Sequence, residues 1–223
     1  MKASLRFLSH LISTVFHPLM MPTYGFVIYM LASPYLFANY WTPLQTTQPI
    51  FGMDLKPRLF DVELIKVFMF TYFFPALGVL LMIGLKMVPD VDVKDRSKRI
   101  GPYIVSGFFY ILAFVYYQRS FEWPVFQAIL LGSCIAIFSG FLINLLFLKI
   151  SAHASGVGGL VAFSMIMMPM VYLDISWIFV ASLVVAGLVG SARMYLNIHT
   201  PRELLSGYAV GYLSQWIAFL IIV

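Results

Sequence analysis

The sequence predicts an all-α fold: a polytopic integral membrane helical bundle with six to seven transmembrane helices. Three observations predict it. Of the 223 residues, 61% are hydrophobic and 10% charged, and the mean hydropathy is +0.92. Globular domains run at about 45–50% apolar and about 25% charged. A water-soluble fold of this length could not hide so much apolar surface. A soluble enzyme, a disordered chain and a nucleic-acid-binding domain are therefore excluded. Second, long uncharged runs recur at the length a bilayer core demands, about 20 residues. Third, those runs are too long and uniform for barrel strands, whereas a helix satisfies its backbone groups internally. The length predicts one membrane domain over residues 1–223.

The first run, 11–37, contains Pro18, Pro22 and Pro34, which predict kinks or a broken helix. Lys2 and Arg6 precede it, but the apolar stretch is too long for a signal peptide and no convincing cleavage site follows. His10 and His17 fall on one face of this helix and read as interfacial packing. The second run, 64–88, holds Lys66 and Lys86 near its ends, where they can snorkel. Run 103–118 is short, and with 125–148 it forms either two spans or one tight helical hairpin around Pro124. Cys134 is the one cysteine, so no disulfide closes within the chain. Runs 156–173, 176–192 and 204–223 complete the set. In the last, Gly207 and Gly211 share a helix face, which favours close helix packing or is incidental.

Alternation of the spans sorts the loops. The N-terminus, 89–102, 149–155 and 193–203 fall on one side; 38–63, 119–124 and 174–175 fall on the other. The first side holds three polar clusters. One runs from Asp90 to Pro102 and includes Asp92, Lys94, Arg96, Lys98 and Arg99. Alone it reads as an ordinary positive loop at a membrane surface. The second is Lys149, Ser151, His153 and Ser155, followed by Gly156, Gly158 and Gly159. It reads either as a satisfied interfacial histidine or as an anion site at a helix start. The third runs from Ser191 through Arg193, Asn197, His199, Thr200, Pro201 and Arg202 to Glu203. Pro201 suits a first helical turn with Thr200 as its cap, which puts Glu203 within reach of His199. A carboxylate there fixes the imidazole tautomer.

Together the clusters gather two histidines, several Arg/Lys, a Ser and a Glu on one face, in a chain with four histidines and nine acidic residues. That chemistry suits a dianionic phosphate. Arginines bind its oxygens, one histidine attacks phosphorus, and another protonates the leaving group. No cluster has carboxylate pairs suited to Mg²⁺ or a Cys/His set suited to zinc, so metal-independent chemistry with no cofactor is expected.

The spacing resembles the type 2 phosphatidic acid phosphatase superfamily of membrane lipid phosphatases, in a divergent bacterial branch. Its motifs are Lys-x6-Arg-Pro, Pro-Ser-Gly-His and Ser-Arg-x5-His-x3-Asp. The third matches at Arg193, His199 and Glu203, with Glu for Asp and Ala192 in the serine position. The second matches at Ser151 and His153, with Ile150 for Pro and Ala152 for Gly. The first keeps Arg99, but Pro102 comes three later, and Lys98 or Lys94 could replace the missing lysine only from another backbone position. The resemblance spans residues 90–211, a phosphatase-like core. It implies His199 as nucleophile forming a phosphohistidine, with Glu203 orienting it. It implies His153 as general acid, then base for the hydrolytic water. Arg99, Arg193, Lys98 and Ser151 would hold the phosphate.

The function this implies is a membrane phosphohydrolase for a lipid phosphate or lipid pyrophosphate, its partners being that substrate and membrane lipids, with no nucleic acid. The headgroup would be processed at the surface while the acyl or prenyl chain stays in lipid. The alternatives are a lipid phosphotransferase, and a catalytically inactive lipid-phosphate-binding protein or transporter. The expected location is the cytoplasmic (inner) membrane, multi-pass. The motif side carries Lys/Arg at 2, 6, 86, 94, 96, 98, 99, 149, 193 and 202; the other side carries them at 56, 58, 66 and 119. That balance would make the motif side cytoplasmic. The site's own need for cations weakens the rule here, and the resemblance implies a periplasmic site.

Overall fold

A computed structural model of the protein describes residues 2–38, 58–89, 93, 95–119, 123–171 and 173–223. Most of the expected loop 38–63, and Asp90, Asp92 and Lys94 of the first polar cluster, lie outside the described residues. The fold is all-helical, with no strand among the described residues.

The first span is broken where its prolines predict. Helix α1 covers Lys2–Val15, a 3₁₀ turn covers Pro18–Met20, and α2 covers Met21–Ala32. Pro18 and Pro22 have no N–H to continue the ladder. The second span is one rod in two parts, α3 (Leu59–Phe68) and α4 (Phe74–Gly84), joined by a π-turn over Met69–Phe73. Pro75 accounts for the π-turn: its ring would clash with the preceding carbonyls of a regular helix, and the wider turn absorbs it. A 3₁₀ turn at Ser97–Arg99 leads into α5 (Ile100–Gln118). Then follow α6 (Pro124–Leu146), α7 (Ala152–Met167), α8 (Ser176–Tyr195) and α9 (Pro201–Ile222).

Seven helical stretches among the described residues are long and apolar enough to cross a membrane, from Ser4–Ala32 to Pro201–Ile222. Helices α5 and α6 are separate full-length spans, so of six or seven the answer is seven. The outer faces expose Phe7, Leu81, Ile111, Phe138, Val180 and Leu220, a surface suited to lipid. Helix α7 is the axis of the bundle: 61% of its spanning window is buried, against 17–39% for the other six. It lies backbone to backbone on α9. A Cβ on Gly211 would collide with the Ser155 carbonyl, and one on Gly207 would fall 2.6 Å from the Ser151 carbonyl. Gly207 and Gly211 are therefore close-packing positions.

The two ends of the bundle differ. One is filled with rings: Phe26, Tyr117, Trp123 and Phe126 are buried together, with Tyr117 stacked on Trp123 at 5.7 Å. At the other end the α6–α7 and α8–α9 connections meet. The Ser151 N–H donates to the Glu203 carbonyl at 3.2 Å, and Lys149 Nζ donates to the Ile198 carbonyl at 2.7 Å. Arg96 closes the C-terminus of α6, donating to the carbonyls of Asn144, Leu145 and Phe147. All three sequence clusters have members at this end.

Candidate active site

The third cluster builds the firmest part of the site. Helix α8 stops at Tyr195, and Asn197 takes a left-handed conformation (φ 53°) that asparagine tolerates. The chain then turns at once into α9 through a capping box. Thr200 Oγ1 accepts from the Glu203 N–H at 3.4 Å, and Glu203 Oε2 accepts from the Thr200 N–H at 3.2 Å. The same oxygen lies 2.8 Å from His199 Nδ1, and Lys149 Nζ is 3.9 Å away. A carboxylate facing Nδ1 holds the proton there, so the neutral ring keeps its lone pair on Nε2. His199 is 7% exposed. Burial pushes its pKa down from 6.5 to about 4; Glu203 opposes this, and Arg99, Lys149 and Arg193 reinforce it. Its resting form at neutral pH is a neutral imidazole with its lone pair on Nε2.

The second cluster starts α7. Ser151 is its N-cap, with Oγ accepting from the Ala154 N–H at 3.3 Å. His153 Nε2 is 3.0 Å from the carbonyl of Ser13. A carbonyl only accepts, so Nε2–H is the donor, and the neutral ring keeps its lone pair on Nδ1. The Ser13 carbonyl lies in the last turn of α1, just before the break, so the proline-broken span sets the tautomer of His153.

These groups face a cavity of about 550 Å³. Arg99, Arg193, His153 and His199 line it at the motif end. Arg99 is buried and also braces the loops, donating from Nε to the Val93 carbonyl at 2.8 Å and to the Ile150 carbonyl at 2.9 Å. Arg193 is 4% exposed at the end of α8. Deeper in the bundle the wall becomes Ile129, Ala136, Leu160 and Phe163, ending near Gln215. At 1.5 Å per residue, the stretch of α9 from Pro201 to Gln215 spans about 21 Å.

Two expected phosphate ligands are not in the cavity wall. Lys98 is exposed, because a 3₁₀ turn has three residues per turn and directs neighbours Lys98 and Arg99 to different sides. Ser151 is fully buried, with its oxygen turned back onto its own helix. Lys149, two residues earlier, touches the His199–Glu203 pair instead. Its only sequence signal was its place beside the second motif.

The largest departure is His17. All four histidines of the chain line the cavity, including His10 and His17, which the sequence assigned to packing. The His17 ring lies 5.4 Å from that of His153, edge to face. Among the described residues, no three His, Cys, Asp or Glu side chains come together as a metal-ligand set. The arrangement offers two oriented imidazoles and two buried guanidiniums at the mouth of an apolar cavity, chemistry fitted to a phosphate with an apolar tail. Compared with protein-family models, curated proteins and solved structures, the chain matches none of them.

Proposed function

We propose that the protein is a metal-independent membrane phosphohydrolase that removes phosphate from a lipid phosphate or lipid pyrophosphate. The observation that carries this reading is His199: buried, with Nδ1 held 2.8 Å from Glu203, on a cavity shared with His153, Arg99 and Arg193. The chemistry follows from the tautomers. His199 Nε2 attacks phosphorus, a P–N bond forms, and the P–O bond to the leaving group breaks. The leaving oxygen takes a proton through His153 Nδ1, the nitrogen not committed to Ser13; at rest that nitrogen holds a lone pair, and it receives the proton from the monoanionic phosphate as the substrate binds. Water then attacks the phosphohistidine and gives its proton back to His153. Phosphate leaves and His199 is neutral again. Arg99 and Arg193 offset the charge on the phosphoryl oxygens.

The apolar depth of the cavity favours a lipid over a soluble phosphate ester. It also supports a chain entering the bundle, in place of the sequence expectation that the chain stays in lipid. This reading retains the resemblance to type 2 phosphatidic acid phosphatases, and with it a place in the cytoplasmic membrane. The test is phosphate release by purified protein in detergent, across lipid phosphates, lipid pyrophosphates and water-soluble esters. Preference for the lipids is expected. Transfer to an added alcohol without release would identify a phosphotransferase. Silence with every substrate would overturn the enzyme reading.

A further inference from the structure

We propose that His17 is a third histidine of the phosphate site, supplying a neutral N–H donor to the phosphoryl group; this rests on the phosphohydrolase reading above. The broken first span holds its ring in one tautomer. His17 caps the 3₁₀ turn: its Nδ1 accepts from the Leu19 N–H at 3.3 Å, and its carbonyl accepts from the Met20 N–H at 2.9 Å. With the Nδ1 lone pair engaged, a neutral ring carries its proton on Nε2. That nitrogen is a donor, where those of His199 and His153 not held by Glu203 and Ser13 carry lone pairs.

Two elements, α7 and the π-turn, fix where that ring sits. Helix α7 approaches the broken turn at Gly156, one turn beyond His153, where a Cβ would lie 3.0 Å from Pro18 Cα. The π-turn brings Tyr72 edge-on to His17 at 5.9 Å, and its Thr71 meets Thr23 of α2 at 3.1 Å. The rings of His17 and His153 meet at 77°, an edge-to-face contact in which both border the same cavity. A phosphate held by Arg99 and Arg193 between His199 and His153 has His17 beside its remaining oxygens. A fixed dipole aimed at charge that develops in the transition state is the most effective kind of donor.

The test separates the cap from the donor. His17→Asn puts Oδ1 where Nδ1 was, and asparagine is a strong N-cap, but it has no group at the Nε2 position. His17→Gln reaches that position with an amide N–H. Phosphoenzyme formation on an alkyl lipid phosphate should fall about 10²–10³-fold in His17→Asn, with thermal stability near wild type. His17→Gln should recover at least about tenfold of that loss. Orthovanadate, a mimic of the five-coordinate phosphorus, is followed by thermal shift and should bind about tenfold or more weakly to His17→Asn. A His17→Asn variant with wild-type rate and wild-type vanadate affinity overturns the role of His17 and leaves the phosphohydrolase reading standing. A wild-type protein that neither turns over nor binds vanadate overturns both.

Discussion

At the motif-bearing end Glu203 sits against His199 and Lys149; at the opposite end Glu63 sits against Lys66 and Tyr117. Each carboxylate is hydrogen-bonded, and each has a lysine nearby. Glu63 Oε1 accepts from Lys66 Nζ at 2.6 Å and Oε2 accepts from the Tyr117 hydroxyl at 3.0 Å. Tyr117 in turn is packed between Trp123 and Phe126, so rings close around this carboxylate's partner. At the Glu203 end the same pairing leaves His199 with an uncommitted nitrogen beside a cavity. The difference teaches that a buried carboxylate does not by itself mark a site. What marks one is a fixed tautomer facing open volume.

Four variants or profiles break or sharpen that contrast. The largest effect is expected from His153→Ala. Positioned acid catalysis contributes about 10²–10⁴-fold, so transfer from alkyl lipid phosphates should slow by that much. Aryl phosphates and pyrophosphates leave without full protonation and should slow far less. Burst kinetics make the comparison, and normal phosphoenzyme formation with an alkyl substrate would refute the acid role.

Glu203→Gln comes next. Glutamine still completes a capping box, so the fold should hold while the chemical rate falls by about 10²-fold or more. Glu203→Asp should not exceed wild type, because the shorter side chain must reach both His199 Nδ1 and the Thr200 N–H. A faster Asp variant would contradict the geometry seen here.

The pH profile follows. His199 titrates near 6.5 in the unfolded chain and is pushed down to about 4 in the folded one. It stays neutral and nucleophilic as pH falls through 6.5, so the acid limb of kcat/KM should lie near pH 4–5. The same shift has a stability sign. The unfolded chain binds this proton first, so the contribution of His199 to stability is full above 6.5 and falls progressively below it, toward 4. An acid limb at 6.5 or above would count against a buried neutral nucleophile.

The smallest catalytic effect belongs to the ring-filled end. Glu63→Gln removes a charged acceptor from Lys66 and Tyr117 and should lower stability by about 1–3 kcal/mol. Turnover per folded molecule should be unchanged. A large loss of turnover at unchanged stability would mean the two ends are functionally joined.

How much of this was legible depends on the range of each signal. The spans were readable because each run is charge-free over a bilayer's length. The break before α2 was readable because proline acts locally. The His199–Glu203 contact was readable because a capping box fixes four consecutive residues, whatever surrounds them. His17 was not readable as a site residue. Its placement depends on Gly156 of α7 and on the π-turn around Tyr72, both distant in sequence. The Ser13 carbonyl was invisible for a simpler reason: a backbone acceptor leaves no trace in residue identity. Lys98 misled because adjacent cations look equivalent in sequence, and only the turn beneath them separates their directions.

The central claim is that His199 carries the phosphoryl group. The most direct measurement is a rapid-quench trap with radiolabelled lipid phosphate, followed by mapping of the acid-labile label in wild type, His153→Ala and His199→Ala. Label on residue 199 in wild type, formed more slowly in His153→Ala and absent from His199→Ala, is the result expected here. Label that persists in His199→Ala would contradict it.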